Sequence, residues 1–136
     1  MVKDDVNVTA ADVAGSHLIL WGDPQSNRYL AKLKNQLPLR WTESRLELGG
    51  RGFPAASSVP VFIYPNPQNP TRYVVLNSGF TFWGAGDASN AQQTPKLPDF
   101  AVLDMGVPLD RIPARGVVYA GFYDEDWDVR TGRGGE

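Results

Sequence analysis

Cysteine is absent from this 136-residue chain, and histidine occurs once. Disulfides, thiolate zinc sites and cysteine nucleophiles are thereby excluded. One histidine without cysteine also leaves too few ligands for a zinc site, so no metal is expected. A large charge of either sign is missing as well. The formal net charge is -2 at pH 7, which argues against nucleic acid or an acidic membrane surface as the main partner. No apolar run approaches the roughly 20 residues that a membrane-spanning helix requires. The longest, around Leu18 to Trp21, has the length of a strand. Met1 to Asp5 contain no apolar h-region and are not a signal peptide.

What remains is an ordinary globular composition, 42% hydrophobic and 21% charged. The length suits one domain with one core, taken here as residues 1–136. Residues 1–10 read as linker-like and residues 130–136, rich in Gly and Arg, as a frayed tail. Both ends look like the edges of an excised or appended unit.

Leu18 to Trp21 form an apolar run of the buried-strand type. Asp23-Pro24 then starts a helix, the carboxylate capping free N–H groups and Pro24 taking the first helical position. Tyr29, Leu30, Leu33 and Leu37 give that helix an apolar face, with Arg28, Lys32, Lys34 and Gln36 on its wet side. Pro38 stops it. A second helix is possible near Ala10 to Gly15. Leu39 to Thr42 and Arg45 to Leu48 alternate as one bent strand or two, and Gly49 to Gly52 break the pattern. Val59 to Tyr64 and Arg72 to Asn77 read as an antiparallel pair. Pro65 to Pro70 form a six-residue turn between them that cannot continue a ladder. Gly79 to Asn90 read as an aromatic loop carrying Phe80, Phe82 and Trp83. Ala101 to Asp104 and Gly116 to Phe122 supply the last strands.

The first strand and Tyr73 to Leu76 are the most continuously apolar and are placed at the sheet centre. The expected fold is a layered α/β sandwich with a mixed, mainly parallel central sheet, like a small Rossmann or flavodoxin half.

Few residues offer chemistry. No Gly-x-Ser-x-Gly elbow is present. A Ser-His-Asp triad would have only His17 as its base, at the start of a buried strand where a structural role fits better. No catalytic residue and no cofactor are expected. Gly22 is a lone glycine rather than a dinucleotide fingerprint, and Asp23 would repel a phosphate. Even so, Gly22, Asp23, Ser26 and Asn27 lie where a strand's C-terminal end meets a helix, the usual ligand position in α/β folds. With Asn66 and Asn69 of the Pro/Asn loop they form the candidate ligand-binding set, their amides and N–H groups suited to hydroxyls. Asp124 to Asp128 hold four carboxylates but match no calcium loop, and read as a solvated acidic segment. Phe80, Phe82, Trp83, Tyr123 and Trp127 form either a stacking surface or a packing patch, packing being the better reading.

Three strings carry a resemblance: Leu18 to Asn27, Leu37 to Trp41, and Asn66 to Gly79. Together they resemble the C-terminal segment of large bacterial proteins of the prolyl-oligopeptidase or esterase type (α/β-hydrolases), planctomycete proteins among them. The resemblance extends over residues 4–126. It implies an accessory, non-catalytic domain that packs on or shields an upstream hydrolase domain of the same polypeptide, in a secreted or periplasmic setting. Any triad would lie in that upstream region. A carbohydrate or small-ligand binding module is the alternative, and a free-standing carboxylate hydrolase ranks third.

Overall fold

The computed structural model describes residues 1–78, 97–106 and 116–129. The expected aromatic loop at 79–90 and the tail at 130–136 lie outside them. The architecture is predominantly β, which overturns the Rossmann-like expectation. Strands β1 (Leu18–Trp21), β5 (Ser58–Asn66), β6 (Asn69–Asn77), β7 (Phe100–Asp104) and β8 (Val117–Gly121) build one sheet in the order β1-β6-β5-β7-β8. Among the described residues only β1 and β6 run parallel; the other three pairings of this sheet are antiparallel. A second, antiparallel sheet holds β2 (Leu39–Trp41), β3 (Arg45–Leu48) and β4 (Arg51–Pro54).

The first strand is an edge strand, not a central one. Its apolar run is continuous, yet only alternate residues face the core. Leu20 is buried, whereas Ile19 and Trp21 are 60% and 46% exposed. A four-residue run cannot distinguish burial on two faces from burial on one, which is why the sequence pointed to the centre.

Two turns also differ from expectation. Gly49 and Gly50 do not end the strand pattern but form a two-residue hairpin loop, with φ of +60° and +78°. Positive φ at both central residues suits the twist of flanking strands, so the chain doubles back at once into β4. The Pro/Asn segment is shorter as a turn than expected, because Asn66 already pairs with Asn69 and only Pro67 and Gln68 lie between. Pro65 sits within the ladder, opposite Tyr73 and beside a register shift. Proline is tolerated at such irregularities.

Two helices serve the sheet. Helix α1 (Ala10–Gly15) is set by a capping box in which Thr9 accepts from the Asp12 N–H and Asp12 accepts from the Thr9 N–H. Hydrogen bonds from the Lys3 ammonium, and then from Thr9, hold the Asp12 carboxyl at about 2. Helix α2 (Arg28–Leu33) starts later than the Asp23-Pro24 pair suggests, because Asp23 caps an isolated turn and Asn27 caps the helix. Tyr29, Leu30 and Leu33 are its buried face, and Arg28, Lys32 and Lys34 are exposed.

One core unites these parts. Leu30 and Leu33 from α2, together with Leu46 and Leu48 from the small sheet, pack on Leu20, Val74, Leu76, Phe62 and Phe100 of the large one. On the opposite face Ala101 and Leu103 form a second, smaller cluster.

Candidate functional site

The C-terminal end of β1 is shaped by a self-contained turn. Gly22 has φ +86°, and a Cβ there would come within 2.5 Å of Ser26 Oγ. The Asp23 Oδ1 accepts from the N–H groups of Gln25 (2.9 Å) and Ser26 (2.8 Å). Ser26 Oγ accepts from the Asp23 N–H at 3.0 Å. Asn27 is engaged at both ends: its Oδ1 accepts from the Leu30 N–H at 2.9 Å, and its Nδ2 donates to the Trp21 carbonyl at 3.0 Å. Of these four residues, Gly22 and Asp23 line a cleft.

That cleft has a volume of about 390 Å³. It opens where β1 and β6 end, and its far wall comes from the β2–β3 turn and the start of β5. Gly22, Asp23 and Gln25 form one side; Trp41, Thr42 and Glu43 form the other; Ser58 and Ser78 contribute hydroxyls between them. The β2–β3 turn is fixed by Thr42, whose Oγ1 accepts from the Arg45 N–H (3.1 Å) and donates to the Arg45 carbonyl (3.2 Å). Glu43 is thereby left exposed at the tip. Ser78 Oγ is buried and has no hydrogen-bond partner among the described residues. A cleft of this size falls in the range that takes small molecules.

The other two candidates lie elsewhere. Asn69 begins β6, whereas the cleft adjoins the end of β6, where Trp21 pairs with Asn77. Asn66 is fully buried; its Oδ1 accepts from the Gln68 N–H (2.9 Å) and its Nδ2 donates to Tyr29 Oη (3.3 Å). The Asn69 Nδ2 donates to the Val13 carbonyl (2.9 Å), and its Oδ1 accepts from Thr71 Oγ1 (2.7 Å). Both amides brace the hairpin against α1 and α2. Asn69 lines a separate hollow of about 650 Å³ beside Val13 and Lys32. The six candidates therefore occupy two places.

His17 Nδ1 accepts the Tyr73 N–H at 2.9 Å, extending the β1–β6 contact by one side chain. Its ring stacks on Tyr73, the centroids 5.5 Å apart. The acidic segment closes on itself as well. Asp124 Oδ1 accepts from the N–H groups of Asp126 (2.9 Å) and Asp128 (3.0 Å), and Trp127 adopts a φ of +63°. Among the described residues there is no group of three or more His, Cys, Asp or Glu placed to hold a metal. Phe80, Phe82 and Trp83 lie outside the described residues. Tyr123 and Trp127 pack on each other at 5.6 Å and on Tyr64. Burial, then the nearby Asp99 charge, raises the Tyr123 hydroxyl pKa, and that hydroxyl has no partner among the described residues.

No protein-family model, no curated protein and no solved structure matches this chain. Among the described residues no helix is long and apolar enough to cross a membrane.

Trp41, Thr42, Glu43, Ser58 and Ser78 make up half of the described cleft lining, and sequence reasoning missed all five. They come from three separate strand ends, of β2, β5 and β6, so no local spacing marks them.

Proposed function

We propose that this domain is a non-catalytic module that binds a small, hydroxyl-bearing ligand such as a carbohydrate in the cleft at the end of β1. The observation that supports the reading is the composition of its walls. Carboxylate, hydroxyl and amide groups stand beside one indole, the combination that accepts and donates to sugar hydroxyls while an aromatic ring covers an apolar patch. Saturation-transfer NMR against a panel of neutral and charged monosaccharides is expected to show transfer from the chain, and Trp41→Ala is expected to abolish it. Absence of transfer to every member would overturn the reading. The position of His17, its Nδ1 occupied by a backbone N–H, supports the non-catalytic part.

A second reading keeps the resemblance to hydrolase C-terminal segments. Ile19 and Trp21 are large apolar residues exposed on an edge strand that carries no charge or proline against further pairing. In this reading β1 packs against the upstream hydrolase domain of one secreted or periplasmic polypeptide. Immunoblotting the source cells with an antibody to this domain is then expected to reveal a band several times larger than 14.9 kDa. A band at that mass would refute it.

A further inference from the structure

The two walls of the cleft each carry a carboxylate, and neither has a cationic partner among the described residues. Asp23 uses Oδ1 to cap its own turn, and Oδ2 has no hydrogen bond there. Glu43 makes no ion pair. The nearby Arg45 is committed to Glu47 at 2.8 Å, and Arg40 also faces Glu47 at 4.0 Å. Among the described residues no Lys, Arg or His lines the cleft. A neutral sugar would leave both charges uncompensated, and an anion would be repelled. Calcium takes six to eight oxygen ligands, and among the described residues no group of three or more acidic or histidine side chains is placed to hold a metal. An ammonium group requires no such shell. Within one cleft it is attracted by both lining carboxylates, and Trp41 supplies an indole of the kind that favours a cation. Ser78 Oγ, buried and without a hydrogen-bond partner among the described residues, adds a site for a hydroxyl beside these groups.

We infer that the ligand of this cleft carries a protonated amine as well as hydroxyls, as an amino sugar does, with Asp23 and Glu43 selecting the charge. The inference rests on the reading of the cleft as a ligand site. The test is an amide-resolved NMR titration of the full chain with glucosamine, glucose and N-acetylglucosamine, at a mildly acidic pH that keeps the amine charged. Glucosamine is expected to shift the Gly22, Thr42 and Glu43 amides and the Trp41 indole N–H, and to bind at least tenfold more tightly than the two neutral sugars. That preference should shrink as salt is added. Glu43→Gln, on an exposed turn, is expected to bring glucosamine down toward glucose. Asp23→Asn, which keeps the capping oxygen, should do the same. Equal binding of all three sugars at these residues would overturn the charge selection and leave the cleft as a sugar site. No shift with any sugar would overturn both.

Discussion

Replacing Phe100 with alanine is expected to lower the unfolding free energy by about 3–5 kcal/mol, the usual cost of emptying a buried aromatic site. Phe100 is 0% exposed. Its ring packs on Tyr119 at 5.4 Å and Tyr123 at 5.3 Å, and a Cβ at Gly121 would sit 2.9 Å from its Cζ. The absence of a side chain at Gly121 thus makes room for the Phe100 ring. Phe100 pairs directly with Gly121 across β7 and β8, which limits how far the emptied space can collapse. Since small domains have about 5–15 kcal/mol in all, the variant should unfold at a much lower denaturant midpoint with its m-value retained. Phe122→Ala, at a site 62% exposed, should change the midpoint little, by about 0.5 kcal/mol or less. Equal effects in the two variants would contradict the packing described for β7.

Gly49 and Gly50 provide a second test, because they share a backbone conformation and differ in surroundings. Both have positive φ, so an alanine at either position bears a left-handed cost of about 1–2 kcal/mol. At Gly50 nothing lies within 4 Å of the added Cβ. At Gly49 that atom would meet Tyr119 Oη at 2.5 Å and Val129 Cγ1 at 2.6 Å. Overpacking adds about 1–3 kcal/mol, giving an expected loss of about 2–5 kcal/mol for Gly49→Ala. Thermal or chemical denaturation of the two variants would separate the terms. If Gly50→Ala proved the more damaging, the small sheet would not rest on β8 as described.

The same turn shows how far the sequence could be read. Glycine pairs signal a turn reliably, yet Gly49-Gly50 alone did not reveal whether the chain stops or doubles back. The answer lay in Tyr119, seventy residues on. Apolar runs of β-branched and aromatic residues located β5, β7 and β8 well, and the helix α2 face was legible from its spacing. What failed was the layer architecture. Leu18 to Trp21 look like a central parallel strand because their composition does not reveal which side is left bare. Asp23-Pro24 look like a helix start because an isolated capped turn has the same first three residues. For the site, the turn at Gly22 and Asp23 was legible and the opposite wall was not. Residues 58 and 78 meet the turn through pairing within the large sheet, and 41–43 arrive from the separate small sheet packed on the same core, so none of these placements is written locally. Asn66 and Asn69 were singled out for their amides, but those amides are engaged in bracing the hairpin.

The lone parallel pairing has a kinetic consequence. The β5–β6 hairpin closes across two residues, and the three strands of the small sheet follow one another along the chain. Leu18, by contrast, must find Val74 across 56 positions (74 minus 18). Loop closure costs about 0.6 kcal/mol more for each doubling of length, so β1 carries an entropic penalty of about 3 kcal/mol that the hairpin does not. It follows that β1 is among the last strands to join the sheet and among the first to leave it. The turn at Gly22 and Asp23 is covalently attached to that strand, so the cleft assembles late and opens early. A ligand bridging Asp23 and Glu43 would then clamp a late-formed strand to the body of the protein, and occupancy would be read out as slower amide exchange along Leu18–Trp21.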